Sequence, residues 1–446
     1  MVTKFIILLT FFLYYGNPGS GDAEQWPSYR GYNACGVLNN TDLPETWNAS
    51  TGENIKWKVK IPGLGLSSPV VWNNKLFITT AISANDSAGI KPGIYGSINP
   101  VQDESVHEWK VLCFDRNTGQ KIWEQTSCKG IPKMKRHPKS SHANCTIATD
   151  GNYVAAFFGS EGLYCYDING NLQWKKDFGV LKSVFYTAPQ AEWEFASSPI
   201  IHDGVVIIQV DVLENSFVAA YDVKTGKEIW KTKRDEIPGW CTPTIYYDQG
   251  KTRVALNGYK YRAGYDFQTG REIWHMSGGG DIQIPTPVTG HGMIYFNSAH
   301  GRLSPIYAVK SDAAGDITLP DNATSDEYIA WSHPRGGSYM GTMLLVGDYL
   351  YNLDWNGVLT CYNALTGEEI YHQKAGTGNS YVSSPVASDG KIYIGDDAGN
   401  IYIVQVGSEY KLLATNPLDD IFMTTPALTK NMIYFRTSKY LIAVGK

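Results

Sequence analysis

The side chains best suited to chemistry gather in four short segments and two isolated aromatics. His137 ends the run Lys135-Arg136-His137, and His142 ends Ser140-Ser141-His142. Glu192 and Glu194 flank Trp193, and Asp281 and Gln283 follow three glycines, Gly278-Gly279-Gly280. His333, Arg335 and Tyr339 share one stretch, while Trp240 and Tyr381 stand in separate loops. A carboxylate facing an imidazole can move a proton or ligate a cation, so Asp281 near His142 or His333 is a candidate for either task. Trp193 and Trp240 supply flat surfaces on which a ligand can stack. The same residue types also serve as turn formers and solvated loop side chains, and both uses stay open. Taken together the segments bring a shared funnel level with that solvated-loop reading, because four independent segments are polar and aromatic at one point of a repeat.

Several known arrangements are absent from the sequence. There is no Walker pattern behind the three glycines, no G-x-S-x-G elbow and no H-E-x-x-H. Asp354-Trp355-Asn356-Gly357 and Asp396-Asp397-Ala398-Gly399-Asn400 lack the spacing of an EF-hand loop and read as hairpin turns. His300-Gly301-Arg302 follows a strand over Met293 to Asn297 and either caps a turn or reaches a ligand. The seven cysteines show no C-x-x-C spacing. Cys113, Cys165 and Cys361 sit at equivalent points of apolar strands and read as buried thiols, whereas Cys128 and Cys145 flank a long loop and are expected to find partners.

The elements that position these residues come from two repeated phrases. In the first, an aromatic and Asp lead into a Thr-Gly turn, and Trp follows eight residues after the Asp: Asp115 to Trp123, Asp222 to Trp230 and Asp266 to Trp274. Asn363 to Tyr371 is a softened copy, and Asp167 to Trp174 is shorter by one residue. Asp and Thr bond turn amides, Gly takes the positive φ, and the returning Trp docks one sheet on the next. The second phrase opens a strand with Ser or Thr, often before Pro. It occurs at Ser67-Ser68-Pro69, Asn144-Cys145-Thr146, Ser197-Ser198-Pro199, Cys241-Thr242-Pro243, Pro285-Thr286-Pro287, Met340-Gly341-Thr342, Ser383-Ser384-Pro385 and Thr424-Thr425-Pro426.

Eight openings at this spacing predict an all-β, eight-bladed β-propeller formed by one domain over residues 24–446, with an insertion from Ile82 to Glu108. The last copy reaches the final residue after three strands, so the stretch Ile55 to Ile61, with its own Trp57, is expected to supply the missing outer strand and close the ring.

Composition bounds the partners. Lys and Arg number 38 against 43 Asp and Glu, a net charge of -5 that leaves no excess of positive charge for nucleic acid. Lys4, the apolar run from Phe5 to Tyr15 and Gly21-Asp22-Ala23 read as a signal peptide over 1–23. That run is well short of the roughly 20 residues a membrane-spanning helix needs. The mature chain is therefore expected to be exported, to a periplasmic or extracellular location, with no transmembrane segment.

The Asp-x-x-Thr-Gly docking phrase, the Ser-Ser-Pro openings and the start Trp26-Pro27-Ser28-Tyr29-Arg30-Gly31 resemble the PQQ-like (quinoprotein-type) β-propeller repeat family, in its exported bacterial form. The resemblance covers residues 26 to 446. It implies two kinds of function, because the family includes BamB-like scaffolds and quinoprotein alcohol dehydrogenases. The dehydrogenases hold pyrroloquinoline quinone (PQQ) under a pair of adjacent cysteines, with calcium among Glu, Asn and Asp ligands. No two cysteines are adjacent here. The reading that follows is a non-catalytic propeller binding a protein or glycan at its channel mouth, the alternative being a PQQ-dependent dehydrogenase of alcohols or sugars.

Overall fold

Alternating apolar residues between Gly-rich turns build antiparallel strands, and the computed structural model arranges them as eight sheets in a ring. It describes residues 24–85, 89–94, 97–300, 303–377 and 380–446. The expected signal peptide, and Gly301 and Arg302 of the 300–302 stretch, lie outside the described residues. Blade 1 comprises Val70–Trp72, Lys75–Ser83, His107–Asp115 and Lys121–Gly130 from the axis outward. The inner strands of blades 2 to 7 are Ala148–Thr149, Ile200–His202, Thr244–Asp248, Val288–Gly290, Leu344–Val346 and Val386–Ser388. Blade 8 is Ala427–Leu428, Ile433–Arg436 and Tyr440–Val444, completed by Ile55–Lys60. That strand pairs antiparallel with Tyr440–Val444, so the N-terminal region closes the ring as expected. The insertion in blade 1 is narrower than 82–108, because the flanking strands run on to Ser83 and start at His107.

The docking phrase works between blades. Trp123 of blade 1 donates its indole N–H to Ile168 O at 3.3 Å, Trp174 to Val223 O at 2.8 Å and Trp230 to Phe267 O at 2.8 Å, each acceptor lying in the Asp turn of the next blade. Trp57 closes the circle on Arg116 O at 2.9 Å. The turn glycine is required because the ring lies on it: a Cβ on Gly226, whose φ is +69°, would stand 2.6 Å from the Trp174 ring. A one-residue bulge precedes each returning aromatic, as between Ala220–Trp230 and Tyr221–Glu228, and turns it toward its neighbour. Two departures from the repeat follow. Trp274 bonds Tyr246 Oη within its own blade, and Trp331, hidden from the repeat by the long turn of blade 5, docks on Ala364 O.

The Ser/Thr of the second phrase bonds blade to blade around the axis. The backbone amides of Ser68, Thr146 and Ser198 donate to the hydroxyls of Thr146, Ser198 and Thr242 at 2.9, 2.9 and 3.1 Å. Those of Thr286, Thr342, Ser384 and Thr425 donate to Thr342, Ser384, Thr425 and Ser68 at 3.1, 3.0, 3.2 and 3.1 Å. Each hydroxyl thus satisfies a buried amide that has no sheet partner at the inner rim. The link from blade 4 to blade 5 is missing, and the Thr286 hydroxyl is buried without a partner.

Apolar side chains fill the gaps between blades, giving a core distributed around the ring. All seven cysteines are thiols. Cys128 and Cys145, expected to find partners, form no disulfide, and Cys145 packs into the layer between blades 2 and 3.

One further segment shapes the centre. Gln25–Trp26 pairs with Val70–Trp72 of blade 1, Pro27 O accepts the Thr149 amide of blade 2, and Leu38 N donates to Ala387 O of blade 7. Between them, Arg30 donates to Met343 O at 2.8 Å and Pro385 O at 2.6 Å, in blades 6 and 7. A segment that touches blades on opposite sides of the ring crosses its axis, and here it closes one end of the channel.

Candidate functional site

Above this floor lies a cavity of about 310 Å³, at the small end of the range of roughly 300–1,000 Å³ typical of ligand sites. Tyr29 forms its base and is held by a 2.9 Å hydrogen bond with Ser384 Oγ. Trp193, Trp240 and Tyr339 line it, with aliphatic surface from Leu66, Ile282 and Val382 among others. Gly93, Ile94 and Ile98 of the blade 1 insertion also line it, so that insertion reaches over the mouth. It is tied down there by Lys91 N to Pro138 O, Val101 N to Arg136 O and Lys139 Nζ to Pro92 O. Trp193 is wedged between Phe185, stacked at 5.0 Å and 8°, and Trp240 at 5.6 Å. Phe185 comes from a hairpin, Val184–Phe185 and Ala188–Glu192, that the repeat does not predict.

Glu194 is the acidic side chain on the cavity wall. Its φ of +69° is unusual for a non-glycine residue and turns the chain so that the carboxyl meets His142 Nδ1 at 2.6 Å. Burial raises the Glu194 carboxyl to about 8 and lowers His142 to about 4, each shift favouring the uncharged form. At neutral pH they form a neutral pair holding one proton. Behind them His107 packs edge-on to His142 at 5.0 Å, and its Nε2 lies 3.6 Å from Asp103. His137 also lines the cavity, and burial together with nearby Lys139 lowers it to about 4.

Asp281 has a different imidazole from those expected, that of His300, whose Nδ1 it hydrogen bonds. Tyr186 Oη donates to the same carboxylate at 3.3 Å. Burial opposes the charge, but the His300 hydrogen bond holds Asp281 below the usual carboxylate range. His300 itself lines the cavity and lies 5.4 Å from the Tyr339 ring.

The structure therefore brings together His137, Trp193, Glu194, Trp240 and Tyr339 on the cavity, with His142 and Asp281 one layer behind. Gln283 is buried beneath Trp240, whose amide its backbone carbonyl accepts at 2.7 Å. Glu192 accepts Lys135 N at 2.7 Å, steadying a neighbouring loop. The other three lie elsewhere. His333 sits on an outer strand and contacts Gly367 O, Tyr381 packs against Tyr402, and Arg335 is exposed. Sequence reasoning passed over Tyr29 and Lys139 as site residues; a lysine between His137 and His142 was the available signal for the second.

The fold and site define an eight-bladed β-propeller whose axial cavity is floored by its own N-terminal segment. Residues 107–275 and 214–445 match the family model described as outer membrane protein assembly factor BamB, and the chain belongs to this family of PQQ-like repeat propellers. It is 20% identical over 320 residues to the outer membrane protein assembly factor BamB of Shewanella oneidensis, a match covering 72% of this chain and 65% of that relative. The fold resembles the quinohemoprotein alcohol dehydrogenase of Comamonas testosteroni, with a TM-score of 0.61 and 12% identity over 96% of this chain and 82% of that one. It also resembles BamB from Moraxella catarrhalis, with a TM-score of 0.53 and 13% identity over 82% of this chain and 98% of that one.

The cavity wall does not offer the oxygen ligands that a calcium ion beside a quinone would need. Among the described residues no group of three His, Cys, Asp or Glu is arranged to hold a metal ion. The carboxyl on the wall is engaged with His142 and favours its protonated form. A hard dication needs several charged or carbonyl oxygens, and aliphatic side chains occupy much of this wall. No helix among the described residues is long and apolar enough to cross a membrane.

Proposed function

We propose that this chain is an exported, non-catalytic binding propeller that holds a small ring-bearing molecule in its axial cavity. The carrying observation is a pocket with a floor at Tyr29, plates at Trp193, Trp240 and Tyr339, and ionisable pairs tied to each other, Glu194 to His142 and Asp281 to His300. A general acid or base needs a free lone pair or proton directed at substrate. These carboxyls are committed to imidazoles, and the His137 Nδ1 lone pair accepts the Lys139 amide at 3.1 Å. Membership in a family described by an assembly factor supports a protein partner on the outer loops in addition.

The test is a fragment screen on the purified chain, read by thermal shift and tryptophan emission, with pyrroloquinoline quinone plus calcium as one arm. Ring-bearing hits that disappear in Trp240→Ala support the reading. Stabilisation by the quinone with turnover of an alcohol overturns it in favour of a dehydrogenase.

A further inference from the structure

The closing strand of the ring, Ile55–Lys60, has two unlike faces. Trp57 turns inward onto the blade 1 turn, whereas Lys56, Lys58 and Lys60 are exposed. Side chains two apart along a strand share a face about 7 Å from one another, so Lys58 and Lys60 form a row that Lys56, at the strand's bulge, prolongs. None of the three forms an ion pair within 4 Å among the described residues, and Lys58 lies over the Tyr440 ring at 4.5 Å. By contrast, Lys110 and Lys121 of blade 1 share Glu124, and Lys446 is paired with Asp42. The acids of blade 8 are engaged elsewhere: Asp419 accepts Ser50 Oγ at 2.6 Å, and Asp420 accepts Ser438 Oγ at 2.8 Å and Lys439 N at 2.9 Å.

The outer edge of this strand is open, because its sheet ends with it. A blade of this ring has room for one strand more: the outer strand of blade 4, Glu272–Met276, is itself paired in parallel with Gly315–Asp316. There the added strand sets an acid beside a basic side chain, for His275 and Asp316 are register partners, with His275 Nε2 3.8 Å from the Asp316 carboxylate. Blade 8 presents the edge and a row of bases, with no added strand among the described residues.

We propose that the outer edge of blade 8 takes an extended segment of a partner protein that carries Asp or Glu at alternate positions. Main-chain hydrogen bonds to the open edge supply the docking, and carboxylates at alternate positions fall beside the lysines, at the spacing of cross-strand pairs. A free backbone edge selects a peptide over other polyanions, and the net charge of -5 opposes nucleic acid. A narrow row whose aromatic, Trp57, is turned inward lacks the apolar face that holds a segment on a lipid surface. The proposal goes beyond the cavity reading and stands without it. The competing role of edge lysines is to keep any strand from pairing there.

The experiment is fluorescence anisotropy of a short labelled peptide, with glutamate at every second position and threonine between, titrated with the purified chain at pH 7 and low salt. Its controls are a peptide of the same composition with the glutamates in one block, the alternating peptide with N-methylated backbone amides, and vesicles of phosphatidylcholine and phosphatidylglycerol. The expected result is that the alternating peptide binds at least tenfold tighter than either control peptide and weakens as salt is raised. Replacing the row by Lys56→Gln, Lys58→Gln and Lys60→Gln together should abolish binding without lowering the thermal midpoint, since all three side chains face solvent. Lys58→Glu with Lys60→Glu should transfer the preference to a peptide with lysine at every second position. Equal binding of the alternating and blocked peptides, undiminished binding of the N-methylated one, or undiminished binding by the triple variant overturns the proposal. So does capture by the vesicles that the triple variant loses, which would give the row to a lipid surface. Absence of peptide binding overturns it too, and self-association of the triple variant would then identify the lysines as a guard of the edge. Ring-bearing hits in the cavity are independent of all these outcomes, so the cavity reading survives a failure here.

Discussion

Replacing Glu194 by Gln should change how the stability of the ring depends on pH. The Glu194 carboxyl titrates near 8 in the folded chain against an ordinary 4.5, and His142 near 4 against 6.5. For Glu194 the folded state binds the extra proton between 4.5 and 8, so its contribution to stability falls as pH rises through that window. For His142 the unfolded state binds the extra proton between 4 and 6.5, so its contribution rises there. The two slopes oppose each other up to pH 6.5, and above it only the loss from Glu194 continues. Integrating the remaining 1.5 pH units and the tail beyond gives about 2 kcal/mol between pH 6.5 and pH 9. Urea unfolding at both pH values, on wild type and Glu194→Gln, isolates this amount. Burial also raises Glu161 and Glu236 to about 7, but both remain in the variant and their effect largely cancels in the comparison. The variant is expected to lose about 2 kcal/mol less than wild type on going to pH 9. Equal losses in the two proteins, or a larger loss in the variant, would refute the neutral-pair assignment.

Three further outcomes test the architecture. Deleting residues 53–61 removes the outer strand that pairs with Tyr440–Val444 and should leave no soluble ring; a truncated chain that unfolds cooperatively would show that closure lies elsewhere. Trp230→Ala removes a buried indole lying over Gly270 and its bond to Phe267 O, and should cost about 3–5 kcal/mol by denaturant unfolding; a loss under 1 kcal/mol would argue against docking as the source of blade cohesion. Ser384→Ala strands the Thr342 amide and frees Tyr29 at once, and is expected to cost about 1–3 kcal/mol and to raise the exchange rate of the Thr342 amide hydrogen; an unchanged exchange rate would contradict the inner-rim role of these hydroxyls.

Much of the fold was legible in the chain because a propeller repeats one local solution. The Asp-Thr-Gly turn, its Trp and the Ser/Thr before each inner strand are short-range signals. Their contacts reach only the neighbouring blade, so eight copies in order imply eight blades in order. Trp57 identified the closing strand by the same token, since a lone repeat Trp must find a blade that lacks one. Where a turn is lengthened the signal fades, and the docking role of Trp331 was visible only in three dimensions.

The site was legible as a set of loops and not as a set of contacts. Loops preceding inner strands tend to converge on one end of the channel, which placed His137, Trp193, Glu194, Trp240 and Tyr339 at the cavity but wrongly put His333, Arg335 and Tyr381 there too. Partner choice among them depends on loop paths that no repeat encodes. Asp281 meets His300 rather than His142 or His333, and Glu194 takes His142 through a left-handed backbone turn. The floor is the clearest case. Sequence placed Tyr29 and Arg30 in an opening phrase before the first blade, but only the closed ring carries that phrase across its own axis and makes a channel into a pocket. Local hydrogen bonding and alternation determine blades residue by residue, whereas a cavity at the axis is formed by segments hundreds of residues apart, whose meeting follows from ring closure alone.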